Sequence, residues 1–183
     1  MCFDIMNSTE LCNAIGSVNI AKVYNDLYQV IHHALYETSY PYIRIHETCG
    51  DSVMLIANTS FMPKSKNIVE LILNTCARVV TLIDATISVR CGIAHGDISG
   101  GVIDGTSFRI FGSCVHLASR LESHCLENHI SCQKELIDNM KMKNPDFMKK
   151  FDTNLLTSDL KGFGETSYYD LAFFSKEEEN DQK

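Results

Sequence analysis

The spacing of apolar residues changes period several times along this chain, and the changes divide it into elements. Ile43, Ile45, Val53 and Leu55 alternate with more polar neighbours, the period of two half-buried strands, with Cys49-Gly50 between them as a two-residue turn. Glycine adopts the positive φ of such a turn without steric cost, which fixes Asp51 at a hairpin tip. Ahead of the hairpin, Ile20, Val23, Leu27, Val30 or Ile31, and Ala34 recur at helical spacing over residues 18–36. His32 and His33 fall near the end of that helix, where surface histidines complement its C-terminus. A polar loop holding Pro63 spans 58–66, and a second helix, 67–83, turns Ile68, Leu71, Ile72, Thr75, Cys76 and Val79 inward. The period returns to two at Ile87, Val89, Cys91 and Ile93, with Arg90 on the opposite face. A third helix covers 113–125, with Val115, Ala118, Leu121 and Glu122 on one side and Ser113, His116 and Arg120 on the other. His116 and Arg120, at i and i+4, can therefore reach one ligand together. A short helix at 133–140 follows, then a turn at Lys161-Gly162-Phe163-Gly164 and a strand from Tyr168 to Phe173. This order predicts an α+β sandwich, with helices on one face of a mostly antiparallel sheet.

Composition narrows the functional classes. A chain of 183 residues, 45% hydrophobic, predicts one domain with ample core. The net charge of −7 argues against a general nucleic-acid binder, whose footprint is basic. It leaves room for a nucleotide pocket, because a bound metal reverses the local sign. Several of the eight cysteines, Cys76 and Cys91 among them, sit within apolar patterns and no signal peptide precedes them, so buried free thiols in a reducing, cytoplasmic setting are expected. The absence of a C-x-x-C pair gives zinc little support. No apolar run approaches the roughly 20 residues of a membrane span. The tail, residues 174–183, is charged and expected to be disordered.

The candidate chemistry lies in two acids. Asp4 closes the apolar segment Cys2-Phe3-Asp4-Ile5, and Asp51 occupies the hairpin tip. Carboxylates at the ends of adjacent strands suit a hard cation such as Mg²⁺, which usually brings phosphates with it. The Gly-rich stretch from Gly96 to Gly101 lacks the G-x-x-x-x-G-K-[ST] pattern of a P-loop.

Four motifs then resemble one family. Glu47-Thr48-x-Gly50-Asp51-x-x-Met54 is similar to the metal hairpin of class III nucleotide cyclases, guanylate cyclases in particular. Phe3-Asp4-Ile5 with Thr9 resembles their first metal strand and phosphate loop. Phe111-Gly112, Val115, Ala118-Ser119-Arg120 and Glu122-Ser123 resemble their signature helix, and Lys161-Gly162-x-Gly164 their C-terminal turn. Each motif alone is weak; their order and spacing fit from about residue 2 to 173. The resemblance implies a ferredoxin-like α/β sandwich over residues 1–173 and conversion of GTP, or ATP, to a cyclic nucleotide and pyrophosphate at a dimer interface. The family's first strand starts several residues earlier, so a shortened or truncated first strand is expected.

The resemblance also assigns roles. Asp4, Asp51 and the Ile5 carbonyl match the ligands of two Mg²⁺ or Mn²⁺ ions. Thr9 matches the triphosphate loop, where Asn7 and Ser8 replace the usual Gly and Phe; the ordinary alternative is a Ser8 or Thr9 helix cap. Gly92, Gly96 and Gly101 match the segment between paired strands. Arg90 matches an arginine near the phosphates, the alternative being a surface arginine. Glu47 matches the carboxylate that reads guanine, and Arg109 stands where the family has Cys or Asp. Arg109 would donate to guanine O6 and repel the adenine amine, or it pairs with Glu47 and closes the pocket. Arg120 matches the arginine of the α-phosphoryl transition state, the alternative being a surface pair with Glu122 or Glu127. His116 replaces the ribose-orienting Asn, Phe163 the triphosphate Lys, and Ser113 a common Asp. The metal half is thus complete and the other half altered, which implies a metal-donating domain pairing with a different cyclase domain. A self-sufficient homodimer and an inactive cyclase-like regulator of a partner domain are the alternatives.

Overall fold

A computed structural model describes residues 1–57, 59–60, 62–83 and 87–173. The elements run β1 (Cys2–Ile5), α1 (Ser8–Ile15), α2 (Ser17–Thr38), β2 (Ile43–Cys49), β3 (Ser52–Ala57), α3 (Ile68–Leu82), β4 (Val89–Ile93), β5 (Ser99–Ile103), β6 (Ser107–Phe111), α4 (Ser113–Ser123), β7 (Ile130–Gln133), α5 (Lys134–Lys143), α6 (Pro145–Met148), β8 (Phe151–Leu160) and β9 (Gly164–Phe173). Seven strands form one sheet in the order β2-β3-β1-β4-β7-β9-β8, and β5 and β6 pair separately. Among the described residues of the large sheet, only β4 and β7 pair in parallel. The fold is therefore α+β with a mostly antiparallel sheet.

Neighbouring residues of β4 show where the layers sit, because successive strand side chains point to opposite faces. Cys91 Sγ lies 3.5 Å from Cys76 Sγ of α3. A Cβ on Gly92 would come within 2.0 Å of the Ala118 carbonyl oxygen and 2.3 Å of the Glu122 nitrogen, both in α4. Helices thus cover both faces, not one as the element order predicts. The main core lies under α2 and α3, where Leu27, Ile31, Leu73 and Val79 meet Phe3, Ile5, Val53 and Leu55. A smaller core of Leu121, Leu160 and Tyr168, with Phe163 packed against it, lies on the α4 side.

The pattern places most elements to within a few residues. The hairpin turn is Gly50-Asp51, one position later than predicted, with Gly50 at φ 62°. Inside α3, Leu73 and Ala77 are fully buried while Ile68, Leu71 and Ile72 are half-buried. A helix wedged between a sheet and α2 buries a wider face than its apolar stripe marks. β6, β7 and β8 are additions to the predicted order. All eight cysteines are free. Among the described residues, no helix is long and apolar enough to cross a membrane. The tail expected to be disordered lies outside the described residues.

Candidate active site

Antiparallel pairing brings the two acids together. β1 sits between β3 and β4, with Phe3 opposite Val53 and Asp4 opposite Arg90. The β1–β3 register, carried on two residues, brings the Asp51 tip to the end of β1. Tyr28 of α2 braces that tip by donating its hydroxyl to the Gly50 carbonyl. Burial pushes the Asp4 carboxyl above its usual range; the neighbouring Asp51 charge adds to this, and the Arg90 hydrogen bond opposes it. Tyr24 is likewise raised, by burial and then by the Asp51 charge, which puts it beside the same acids.

Arg90 spans two carboxylates. Its Nη2 lies 2.9 Å from Asp4 Oδ2 and 3.0 Å from Glu122 Oε1. Glu122 is buried on α4, and burial together with the Asp4 charge raises its carboxyl to about 7. Arg90 is half-buried between these two acids, with 22% of its side chain exposed. Sequence reasoning places Glu122 at the edge of its helix face but misses this contact; an acid bordering an apolar face was the available signal.

The remaining candidates fall into three places. Ser8 and Thr9 form the first turn of α1, so neither is the cap; Asn7 holds that position in left-handed geometry, with φ 54° and no side-chain capping bond. As at any helix start, the first-turn N–H groups lack intrahelical acceptors and favour anions. Glu47 of β2 forms an ion pair with Arg109 of β6, both partly exposed, and His46 stacks edge-on against Phe108 alongside. On α4, His116 is exposed and Arg120 half-buried, as the helical period requires. Among the described residues, Arg120 has no ion pair; Glu122 holds Arg90 instead, and Glu127 accepts from Ser88. Phe163, on the turn before β9, belongs to the smaller core.

Among the described residues, no group of three or more His, Cys, Asp or Glu side chains gathers as a metal cage. Two converging carboxylates still fit Mg²⁺, which is usually held by one or two acids with water and substrate phosphates filling the other positions. Burial first and the Asp51 charge second raise Asp4, and a cation would offset both.

The family model for the adenylate and guanylate cyclase catalytic domain matches residues 1–171. The chain belongs to this family. Mouse guanylate cyclase 2G is 27% identical over 133 residues, which is 67% of this chain and 12% of that protein; the rat protein matches similarly at 26%. This chain thus spans only about an eighth of these curated relatives. The guanylate cyclase domain of RhGC from Catenaria anguillulae, solved in complex with GTP, superposes with a TM-score of 0.75 at 21% identity, covering 95% of this chain and 94% of that one. The adenylyl cyclase CyaB from P. aeruginosa gives a TM-score of 0.72 at 19% identity, over 96% and 93%. At such identities these likenesses establish the cyclase fold shared by this chain.

Proposed function

We propose that this domain is the metal-donating half of a guanylate cyclase, working with a second, different cyclase domain to convert GTP into cyclic GMP and pyrophosphate. The observation that carries the reading is the pairing of Asp4 and Asp51 at the ends of adjacent strands, where burial and then the Asp51 charge raise the Asp4 carboxyl. Asp4, Asp51 and the Ile5 carbonyl would hold two Mg²⁺ or Mn²⁺ ions. When bound, such ions offset triphosphate charge and make the ribose 3′-hydroxyl a better nucleophile. Asn7, Ser8 and Thr9 offer the start of α1 to the phosphates. Arg120 and His116 on α4 face the neighbouring domain's substrate.

Two features support the asymmetric role. Phe163 stands at the family's lysine position and packs with Leu121, Leu160 and Tyr168, so it brings apolar contact and no charge. The Glu47 carboxylate, matched to guanine recognition, is already taken by Arg109. Exposed ion pairs of this kind contribute about 0–1 kcal/mol, so a base could displace it. With Glu47 as acceptor and Arg109 as donor, the pocket complements guanine and opposes the adenine amine. The guanylate cyclase relatives and the GTP-bound RhGC domain support the same choice.

A second reading, an inactive cyclase-like regulator, is favoured by that same self-paired pocket. The test is cyclic nucleotide formation with Mn²⁺ and either GTP or ATP, with and without Glu47→Lys plus Arg109→Asp. For the chain alone, where each copy would read the base held at the other's metals, the expected result is a preference for GTP that moves toward ATP in the double variant. Unchanged purine preference would assign base reading to the partner, and no turnover with any partner domain would favour the regulator.

A further inference from the structure

Arg90 is incompletely bonded where it meets Glu122. Its Nε is buried and, among the described residues, has no acceptor. Glu122 Oε1 is likewise buried; it lies 3.0 Å from Arg90 Nη2 yet accepts no well-aligned hydrogen bond. The contact is therefore an ion pair without the two parallel bonds that a guanidinium and a carboxylate can form. The aligned bond of Arg90 goes instead to Asp4, at 2.9 Å. Two orphaned groups facing each other across one ion pair mark a geometry with a second arrangement in reach. A small rotation of the guanidinium would pair Nε and Nη2 with Glu122 and leave Asp4 free.

We propose that Arg90 is the resident counter-ion of Asp4 and passes to Glu122 when a divalent cation binds Asp4 and Asp51, making Glu122 a positioning residue of the metal site. The inference rests on the reading of Asp4 and Asp51 as metal ligands. Its physical basis is charge. Asp4, Asp51 and Glu122 against Arg90 leave the site with two net negative charges, matched to one divalent ion. An incoming cation repels the guanidinium, and Glu122 gives it somewhere to go without burying an unpaired charge. α4 carries Glu122 and, on its other face, His116 and Arg120, so the same movement links metal loading to the helix that faces the neighbouring domain.

The test is Mn²⁺ titration of the whole chain without nucleotide at pH 8, followed by calorimetry and electron paramagnetic resonance. Glu122→Gln leaves Arg90 with Asp4 as its one partner and removes a negative charge, so Mn²⁺ binding should weaken about tenfold, the scale of outer-shell changes. Arg90→Gln removes the competing cation and should tighten binding. The double variant Arg90→Gln/Glu122→Gln restores two net negative charges, leaves no charge at position 122 without its partner, and should return binding toward wild type. This double variant keeps the test intact where Arg90→Gln alone fails to fold. Single variants that weaken binding together, or a double variant no better than Glu122→Gln, would overturn the handover. Asp51→Asn separates the two claims. Wild-type binding that survives it would refute the metal reading and this inference with it, whereas binding lost in it but unmoved by Glu122→Gln would refute this inference alone.

Discussion

Asp4, Arg90 and Glu122 set the electrostatics of the site, and their arrangement predicts how stability follows pH. The Glu122 carboxyl is raised to about 7 by burial first and by the Asp4 charge second. Because its folded value lies above the usual one, the folded chain holds a proton that the unfolded chain releases. The stabilisation is present at low pH and lost as pH rises through about 7. In metal-free chain, urea unfolding should therefore show stability falling by on the order of 3 kcal/mol between pH 5 and 8. Glu122→Gln should flatten that slope, and an unchanged slope would contradict the assignment. The acids themselves were legible in the sequence, because a strand end and a glycine turn announce them. The Arg90 link was not, since nothing in local spacing places a strand residue beneath a helix so distant in the chain. Glu47 and Arg109 show the opposite case: their pairing was one of two readings that sequence left open, and the structure shows the two side chains paired between β2 and β6.

At the scale of elements, α4 is positioned by what β4 lacks. Gly92 lets the α4 backbone approach the sheet so closely that any Cβ would strike backbone atoms at 2.0 and 2.3 Å. Backbone cannot rotate away as a side chain can, so Gly92→Ala should destabilise the domain by about 3 kcal/mol, the upper range of overpacking. Denaturant midpoints would measure this, and a loss below about 1 kcal/mol would mean that α4 docks loosely. The helices α2 and α3 were legible because their stripes are long and regular. β8 was not: Asp152, Asn154, Ser158 and Asp159 have poor strand propensity, and ten cross-strand pairs with β9 override it. β7 has only four residues and is held between β4 and β9, so tertiary pairing rather than sequence defines it. The placement of helices on both faces escaped for a similar reason: a glycine that admits a helix leaves no hydrophobic mark.

For the whole molecule, the family and fold were readable from four motifs in register, whereas the proposed division of labour depends on substitutions whose effects are physical. Losing one preorganised donor typically costs 10²–10³ in rate, and in the proposed reading His116 and Phe163 replace two such groups. His116→Asn should therefore raise turnover by the chain alone, read as cyclic nucleotide formed per unit time, and an unchanged rate would remove α4 from the reaction. In the proposed reading, the complementary half comes from another domain that carries the asparagine and lysine. The most direct test mixes the purified chain with such a cyclase domain whose own metal carboxylates are changed to Ala, and measures cyclic GMP formation with Mn²⁺ and GTP. The account predicts little turnover by either component, turnover by the mixture, and its loss when this chain carries Asp51→Ala. A mixture equally active with Asp51→Ala, or inactive with the wild-type chain, would contradict the role of this domain as the metal-donating half.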